Sequence, residues 1–380
     1  MQNKQQTGGK FVYDGKKMQP IYDRYAIDYN PSFVYKKYNQ IDSSYVTQKQ
    51  LDMDSQGFRN SEPPTRFVQL CINKLRSPVS SICWCPDGRR VMSGLGSGEI
   101  TIWNGVSFNF DTILQAHKTG IKAIQWSRRK NLLLSSDMNG VVKYWSKSLN
   151  ILNEVEIHKS PIKDISFSFD DSSFCTASDD ATIKIVDLIT GKVINTLKGH
   201  NWDVRKAKFH KELSLIISGG KDNLIKLWDP RTSEALHTFH YHKNTILSAE
   251  YFKDDYFVSG GKDQVIKMLD LKNMRDIFTY KGTSDITALT TNDNYIVSGT
   301  GLGEINYYEE FNAVHVAKSD KLHENTIWSL DLHPSGHCLA SGASDYQVRF
   351  WARPRLSRGE KVSEQNEVVE DKVIPGLSFN

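Results

Sequence analysis

The chain has 380 residues, 39% of them apolar, and a formal net charge of +4: enough apolar material for a large core, and too mild a charge to argue by itself for a nucleic-acid partner. No run approaches the roughly 20 apolar residues that span a bilayer, and the opening Met-Gln-Asn-Lys-Gln-Gln-Thr-Gly-Gly-Lys lacks a signal core. The five cysteines (Cys71, Cys83, Cys85, Cys175, Cys338) are odd in number and show no Cys-x-x-Cys spacing, so buried thiols in a reducing compartment, cytosol or nucleus, are expected rather than disulfides, zinc or a membrane protein.

In chain order, residues 1–65 read as an extended arm and linker. The first ten are polar, as in a disordered segment. From Phe11 to Tyr38, aromatic side chains alternate with Lys and Arg at neither helical nor strand period. Two uses fit that pattern. The aromatics of the arm, such as Tyr22, Tyr25, Tyr29, Phe33, Tyr35 and Tyr38, can lie in crevices of the folded domain while the charges face water, or aromatic faces can stack on single-stranded bases while cations hold phosphates. Asn39 to Pro64 turns polar, with a Pro-Pro pair at its end, and reads as a linker.

From residue 66 to 354 a pattern recurs. A strand-end position is filled by Trp103, Trp145, Val186, Trp228, Leu269, Tyr308 and Trp351, at intervals of 42, 41, 42, 41, 39 and 43 residues. Ten residues before each sits Ser93, Ser135, Thr176, Ser218, Ser259, Ser298 or Ser341, a column without exception. Six residues before it comes Asn139, Asp180, Asp222, Asp263 or Asp345, with Ser97 and Leu302 in the first and sixth copies. His117, His158, His200, His242 and His323 form a column further upstream. Short alternating runs such as Leu224-Ile225-Lys226-Leu227-Trp228 predict strands that bury one face.

A period of about 40 to 45 residues with a Gly-His to Trp-Asp signature resembles the WD40 repeat, four strands to a propeller blade. The resemblance implies an all-β fold, a seven-bladed WD40 propeller behind its N-terminal arm. Because a lone four-stranded sheet cannot cover both faces, copies stack in a ring, and Arg66 to Ile72 is expected to add the outer strand of the last blade. It also implies a hydrogen-bonded relay of His, hydroxyl, Asp and Trp, complete in His200, Ser218, Asp222 and Trp228 and again in His323, Ser341, Asp345 and Trp351. The third and fifth copies lack the Trp; the sixth is the most degenerate and is expected to pack marginally. In the second copy, Ser127-Arg128-Arg129-Lys130 is a basic turn that fits either a grip on RNA backbone or a solvated loop. Residues 355–380, first basic and then acidic through Glu364, Glu367, Glu370 and Asp371, read as a disordered interaction tail.

A closer resemblance rests on Asp14-Gly15-Lys16-Lys17-Met18, Asp28-Tyr29-Asn30-Pro31-Ser32, Trp103-Asn104-Gly105 through Phe108-Asn109-Phe110, and Thr112-Ile113-Leu114-Gln115-Ala116-His117. These are similar to the WD-repeat subunit of the cleavage and polyadenylation specificity factor, over the arm and all seven blades. The resemblance implies that the chain, with a small CCCH zinc-finger subunit and on a large multi-propeller scaffold subunit, reads the AAUAAA polyadenylation hexamer of pre-mRNA. A pair formed by the hexamer's U and last A would lie between Tyr13 of the arm and Phe110. Lys16, Lys17, Arg24 and Lys74 would supply cations, and Ile113 would line the pocket. The chain departs from the animal pattern at Gln19 and Pro20, where basic residues are usual, and at Tyr13, where Phe is. Read without the resemblance, Phe110 is a strand aromatic packed between blades one and two and Lys74 a solvated loop charge.

Ser, His and Asp recur at fixed offsets in most copies, as a structural relay does and a unique catalytic site does not. No Walker loop, nucleophile elbow or metal-spaced cluster is present. The chain is therefore expected to be a nuclear protein without enzymatic activity, cofactor or metal, its endonuclease and poly(A) polymerase chemistry belonging to partners. The rival reading is a propeller that binds only proteins, such as a ubiquitin-ligase substrate adaptor.

Overall fold

The computed structural model describes residues 63–353, apart from 74–75, 128, 130, 254, 293, 310–314 and 320–322. Tyr13, Lys16, Lys17, Arg24 and Lys74 lie outside the described residues, as do most of the arm and the tail.

Among the described residues there are seven antiparallel four-stranded sheets. Six are built from consecutive strands, within 79–115, 121–156, 162–198, 204–239, 246–281 and 286–318, and are blades one to six. The seventh contains Ile327–Leu332, Cys338–Ala343 and Gln347–Ala352, and its outer strand is Arg66–Ile72. That strand pairs from Arg66 opposite Ala352 to Ile72 opposite Gln347, so the start of the described chain closes the ring that its end leaves open. Phe67 seals the join, its ring edge-on to Trp351 at 5.6 Å.

The core lies between blades rather than within them, because each sheet has two apolar faces to cover. Tyr144 of blade two packs in one cluster with Phe167, Phe174 and Val186 of blade three. Trp84, Val91 and Trp103 of blade one pack with Val348 and Phe350 of blade seven. The copies without Trp are as well filled as the others: Val186 and Leu269 are fully buried and Tyr308 is 2% exposed. The sixth copy is therefore not marginally packed. Tyrosine rings occupy the space, Tyr308 lying 5.1 Å from Tyr280, while the Tyr307 hydroxyl donates to the Pro64 carbonyl at 2.6 Å. All five thiols are free, and all but Cys83 are buried.

Inner strands are stitched together around the ring. Ser81 Oγ accepts from the Ile124 amide at 3.1 Å, Ser166 Oγ from Phe209 at 3.1 Å, and Ser329 Oγ from Ile82 at 2.9 Å. They enclose a central channel of about 780 Å³. In its wall Lys206 and Lys208 reach Asp164 at 3.2 and 3.6 Å, and Lys208 also reaches Glu250 at 3.5 Å. Burial alone would depress the Lys208 ammonium, but the Asp164 and Glu250 carboxylates outweigh it and hold its pKa above that of a free lysine.

In each blade the pairing of first and second strands slips by one residue, as between Ile121 and Ala123 or Ile162 and Asp164. Such bulges leave no mark in a period-two pattern. The antiparallel order also divides the turns between two ends of the ring. Turns joining first to second and third to fourth strands share one end; the remaining turns, with the relay histidines, share the other.

Candidate nucleic-acid interface

The relay residues are assembled as a buried structural unit. His200 places Nδ1 2.8 Å from Asp222 Oδ2 and Nε2 2.6 Å from Ser218 Oγ, which accepts the Trp228 indole N–H at 2.8 Å. His323, Asp345, Ser341 and Trp351 repeat this at 2.8, 2.7 and 2.9 Å. Blade three makes the same contacts without a Trp, His158 lying 2.7 Å from Asp180 and 2.9 Å from Thr176. Blade two differs from the column read in the sequence. There Asp137, not Asn139, faces His117, at 3.4 Å, and also accepts from the Thr119 hydroxyl at 3.0 Å. Burial would raise the Asp180 carboxyl, but hydrogen bonds from His158 and Thr182 prevail and hold it at about 2. Ser218 and Ser341 are fully buried, so both hydroxyls are closed to solvent.

The element from Trp103 to Phe110 is different, because it brings a ring to the surface. It links strand Glu99–Asn104 to the outer strand Phe110–Gln115 of blade one. Asn104 Oδ1 accepts the amides of Val106 and Ser107 at 2.9 and 3.0 Å, and the Asn104 carbonyl accepts that of Phe108 at 2.8 Å. The Gly105 amide donates to the Arg89 carbonyl at 2.7 Å. A Cβ at Gly105 would stand 2.4 Å from the Gly88 carbonyl oxygen and 2.8 Å from the Trp84 ring, so the close approach requires glycine. Phe108 adopts the left-handed region at φ 53°. Its ring turns inward and stacks on Phe350 at 4.4 Å, while its carbonyl accepts Cys71 Sγ–H at 3.0 Å.

Two residues later Phe110 points out. It is 38% exposed, its ring held edge-on to Trp103 at 6.0 Å, so it does not pack between blades one and two. Phe110 and Ile113 are three apart, and a regular strand would put them on opposite faces. The register slips here: Trp103 faces Phe110, Ile102 faces Thr112 and Thr101 faces Ile113. Since Trp103 and Thr101 are two apart in their strand, the bulge at Asp111 returns Phe110 and partly buried Ile113 to one face. Arg90, whose Nε lies 3.5 Å from Asp111 Oδ2, brings a guanidinium to the same strand end. Nothing in the repeat pattern singles it out. An exposed ring beside an aliphatic side chain can take a flat ligand by stacking, the Arg90 charge there being offset by Asp111. Among the described residues, no three His, Cys, Asp or Glu side chains gather as a metal set.

The sequence matches the family model described as "WD domain, G-beta repeat" over residues 69–104, 108–146, 149–187, 191–229 and 317–352. The unmatched stretch falls in blades five and six, where Leu269 and Tyr308 stand in the Trp column. Among the curated relatives is "Polyadenylation factor subunit 2" of Neurospora crassa, 38% identical over 326 residues, which are 77% of this chain and 49% of the relative. The protein of that name from Gibberella zeae is 37% identical over 339 residues, 81% of this chain and 55% of the relative. That of Yarrowia lipolytica is 36% identical over 361 residues, 83% of this chain and 68% of the relative. The chain thus spans about half the length of the first two relatives. With seven blades in place and two thirds of the Yarrowia relative covered at this identity, the chain belongs to the polyadenylation factor subunit 2 family of WD-repeat proteins.

Proposed function

We propose that this chain acts in mRNA 3′-end processing as a nuclear, non-enzymatic RNA-binding subunit that recognises the AAUAAA signal together with a CCCH zinc-finger subunit, on a large multi-propeller scaffold. The observation that carries the reading is the bulge at Asp111, which gives Phe110 and Ile113 a common face while Phe110 stays 38% exposed. The relatives' shared name supports the pathway. In this reading Tyr13 of the arm closes the second side of a U-A pair, Lys16, Lys17, Arg24 and Lys74 hold phosphates, and partner subunits supply endonuclease and poly(A) polymerase chemistry.

The test is fluorescence anisotropy, at stated salt, of the chain reconstituted with its zinc-finger and scaffold partners. AAUAAA and AACAAA RNA are compared for wild type, Phe110→Ala and Tyr13→Ala. Loss of one stacked base partner costs roughly 1 to 3 kcal/mol, so each variant is expected to lose about tenfold in hexamer affinity and most of its preference, with the complex intact. Equal binding of hexamer and control, or variants that bind as wild type, sinks the reading and leaves a propeller that engages only proteins.

A further inference from the structure

Phe169 occupies a turn between the first and second strands of blade three and is 43% exposed. The Arg129 guanidinium, from the corresponding turn of blade two, sits 4.7 Å from its ring centroid. Both line the mouth of the central channel, with Lys211 from the corresponding turn of blade four. The stack is built rather than incidental. Asp171, fully buried and at φ 53°, accepts from the Ser127 hydroxyl at 2.7 Å and from the Arg129 amide at 2.6 Å, fastening blade two's turn to blade three's. Asp170 takes the hydroxyls of Ser168 and Ser172 at 2.7 and 2.8 Å, which orient its carboxylate within its own turn and keep it ionised. By sequence, Arg128 and Lys130 flank Arg129.

This mouth is at the same end of the ring as Phe110, since all these turns join first to second or third to fourth strands. Contacts lead from the Phe110 turn as far as blade two, which carries Arg129. The Phe110 turn is bonded to Arg89 through Gly105 at 2.7 Å, and Asp87, in the same blade-one turn as Arg89, faces Lys147 of blade two at 3.8 Å. Lys147, itself exposed, offsets part of the Asp87 charge. An aromatic face with a guanidinium on it, followed by further cations, suits a base and its phosphates. A strand of acidic peptide would use the cations but not the exposed ring.

We infer that Arg129 and Phe169 form a second stacking site for single-stranded RNA, which takes a nucleotide flanking the hexamer and guides the strand across the channel mouth. The inference rests on the reading of Phe110 given above, and the two are separable by RNA length. In the same reconstituted complex, AAUAAA alone is compared with AAUAAA carrying four uridines on each side, for wild type, Phe169→Ala, Arg129→Gln, Phe169→Tyr and Phe110→Ala.

Flanks are expected to tighten wild-type binding about tenfold. Phe169→Ala and Arg129→Gln should remove that gain while hexamer binding stays within twofold; Phe169→Tyr keeps the ring and should keep the gain. The Arg129 variant should also flatten the salt dependence for flanked RNA only. If flanks add nothing in wild type, if Phe169→Ala retains the gain, or if it weakens both RNAs equally, the inference falls. Loss of binding in Phe110→Ala alone would then leave the hexamer reading standing. If Phe110→Ala binds both RNAs normally while Phe169→Ala loses the flank gain, the second site stands and the Phe110 reading falls.

Discussion

Gly105 shows how a single hydrogen atom governs the presentation of Phe110. Its missing Cβ lets the turn lie against the Gly88 carbonyl and the Trp84 ring, and that contact fixes where the outer strand of blade one begins. Gly105→Ala is expected to destabilise the fold by about 1 to 3 kcal/mol, as overpacking does, and to weaken hexamer binding although residue 105 touches no RNA in the proposed arrangement. Urea denaturation and anisotropy on one preparation measure both; a variant as stable and as selective as wild type would show that the turn tolerates the extra methyl. The same turn marks the limit of what residues reveal before folding. Phe108 and Phe110 look equivalent in Phe-Asn-Phe, yet one is buried and the other exposed, because Phe108 lies in the turn with a left-handed backbone, which breaks the alternation that strand reading relies on. Phe169 carried no signal, since its partner Arg129 is forty residues away and reaches it only through the packing of neighbouring blades. By contrast the relay of blade four lay open in the sequence, because it obeys fixed offsets, and blade two escaped it by taking its carboxylate from Asp137.

At the scale of elements, the strand Arg66–Ile72 serves two neighbours. A register shift between Phe67 and Gln69 splits its faces: Phe67 meets Trp351 on one, while Gln69 and Cys71 lie opposite Phe350 and Val348 on the other, where Cys71 bonds the Phe108 carbonyl of blade one. Leu70 and Ile72 share the face of Phe67 and, like Val68 at the shift, are exposed. A chain that starts at residue 76 loses this strand and leaves the amides and carbonyls of Gln347–Ala352 unpaired along an edge. It is expected to elute as higher oligomers or to aggregate, and to melt at least 10 °C lower than the full chain; an unchanged monomer with an unchanged midpoint in gel filtration and calorimetry would show that closure contributes nothing. Strand positions were legible because alternation and the repeat period agree. The packing of blades three, five and six was less so, since a Trp column says nothing about Val186, Leu269 and Tyr308 filling the same space by other means.

Across the whole molecule, burial sets the response to acid. Burial presses His333 down to about 3, against the pull of the Gly88 backbone and Asp87, and pushes His337 well below the usual histidine range, helped by His333 and Arg353. Both imidazoles are neutral in the fold, at the join of blades seven and one, with His333 edge-on to Trp84 at 4.7 Å. Unfolded, each takes a proton near pH 6.5. Their contribution is therefore complete above pH 6.5 and declines as the pH falls below it, by about 1.4 kcal/mol per pH unit for each histidine, until the folded value is passed. The relay carboxylates add a second loss below about pH 4, since Asp180, Asp222, Asp263 and Asp345 are held down in the fold. The melting temperature is expected to fall steadily from pH 6.5 to 5 and faster below 4; His333→Gln, which removes one of the depressed imidazoles, should make the first limb shallower and leave the second. A flat wild-type profile between pH 6.5 and 5 would contradict the buried neutral pair.

The pairing of Arg66–Ile72 with Gln347–Ala352 also orders events in time. The strand emerges from the ribosome before any blade, and its partner follows nearly 280 residues later. At about 5 to 20 residues per second that interval is on the order of 15 to 60 s. Throughout it, the strand that will edge blade seven has nothing to pair with, and six blades can form before it finds its place. Synthesis, rather than the finished ring, is when this chain most needs protection.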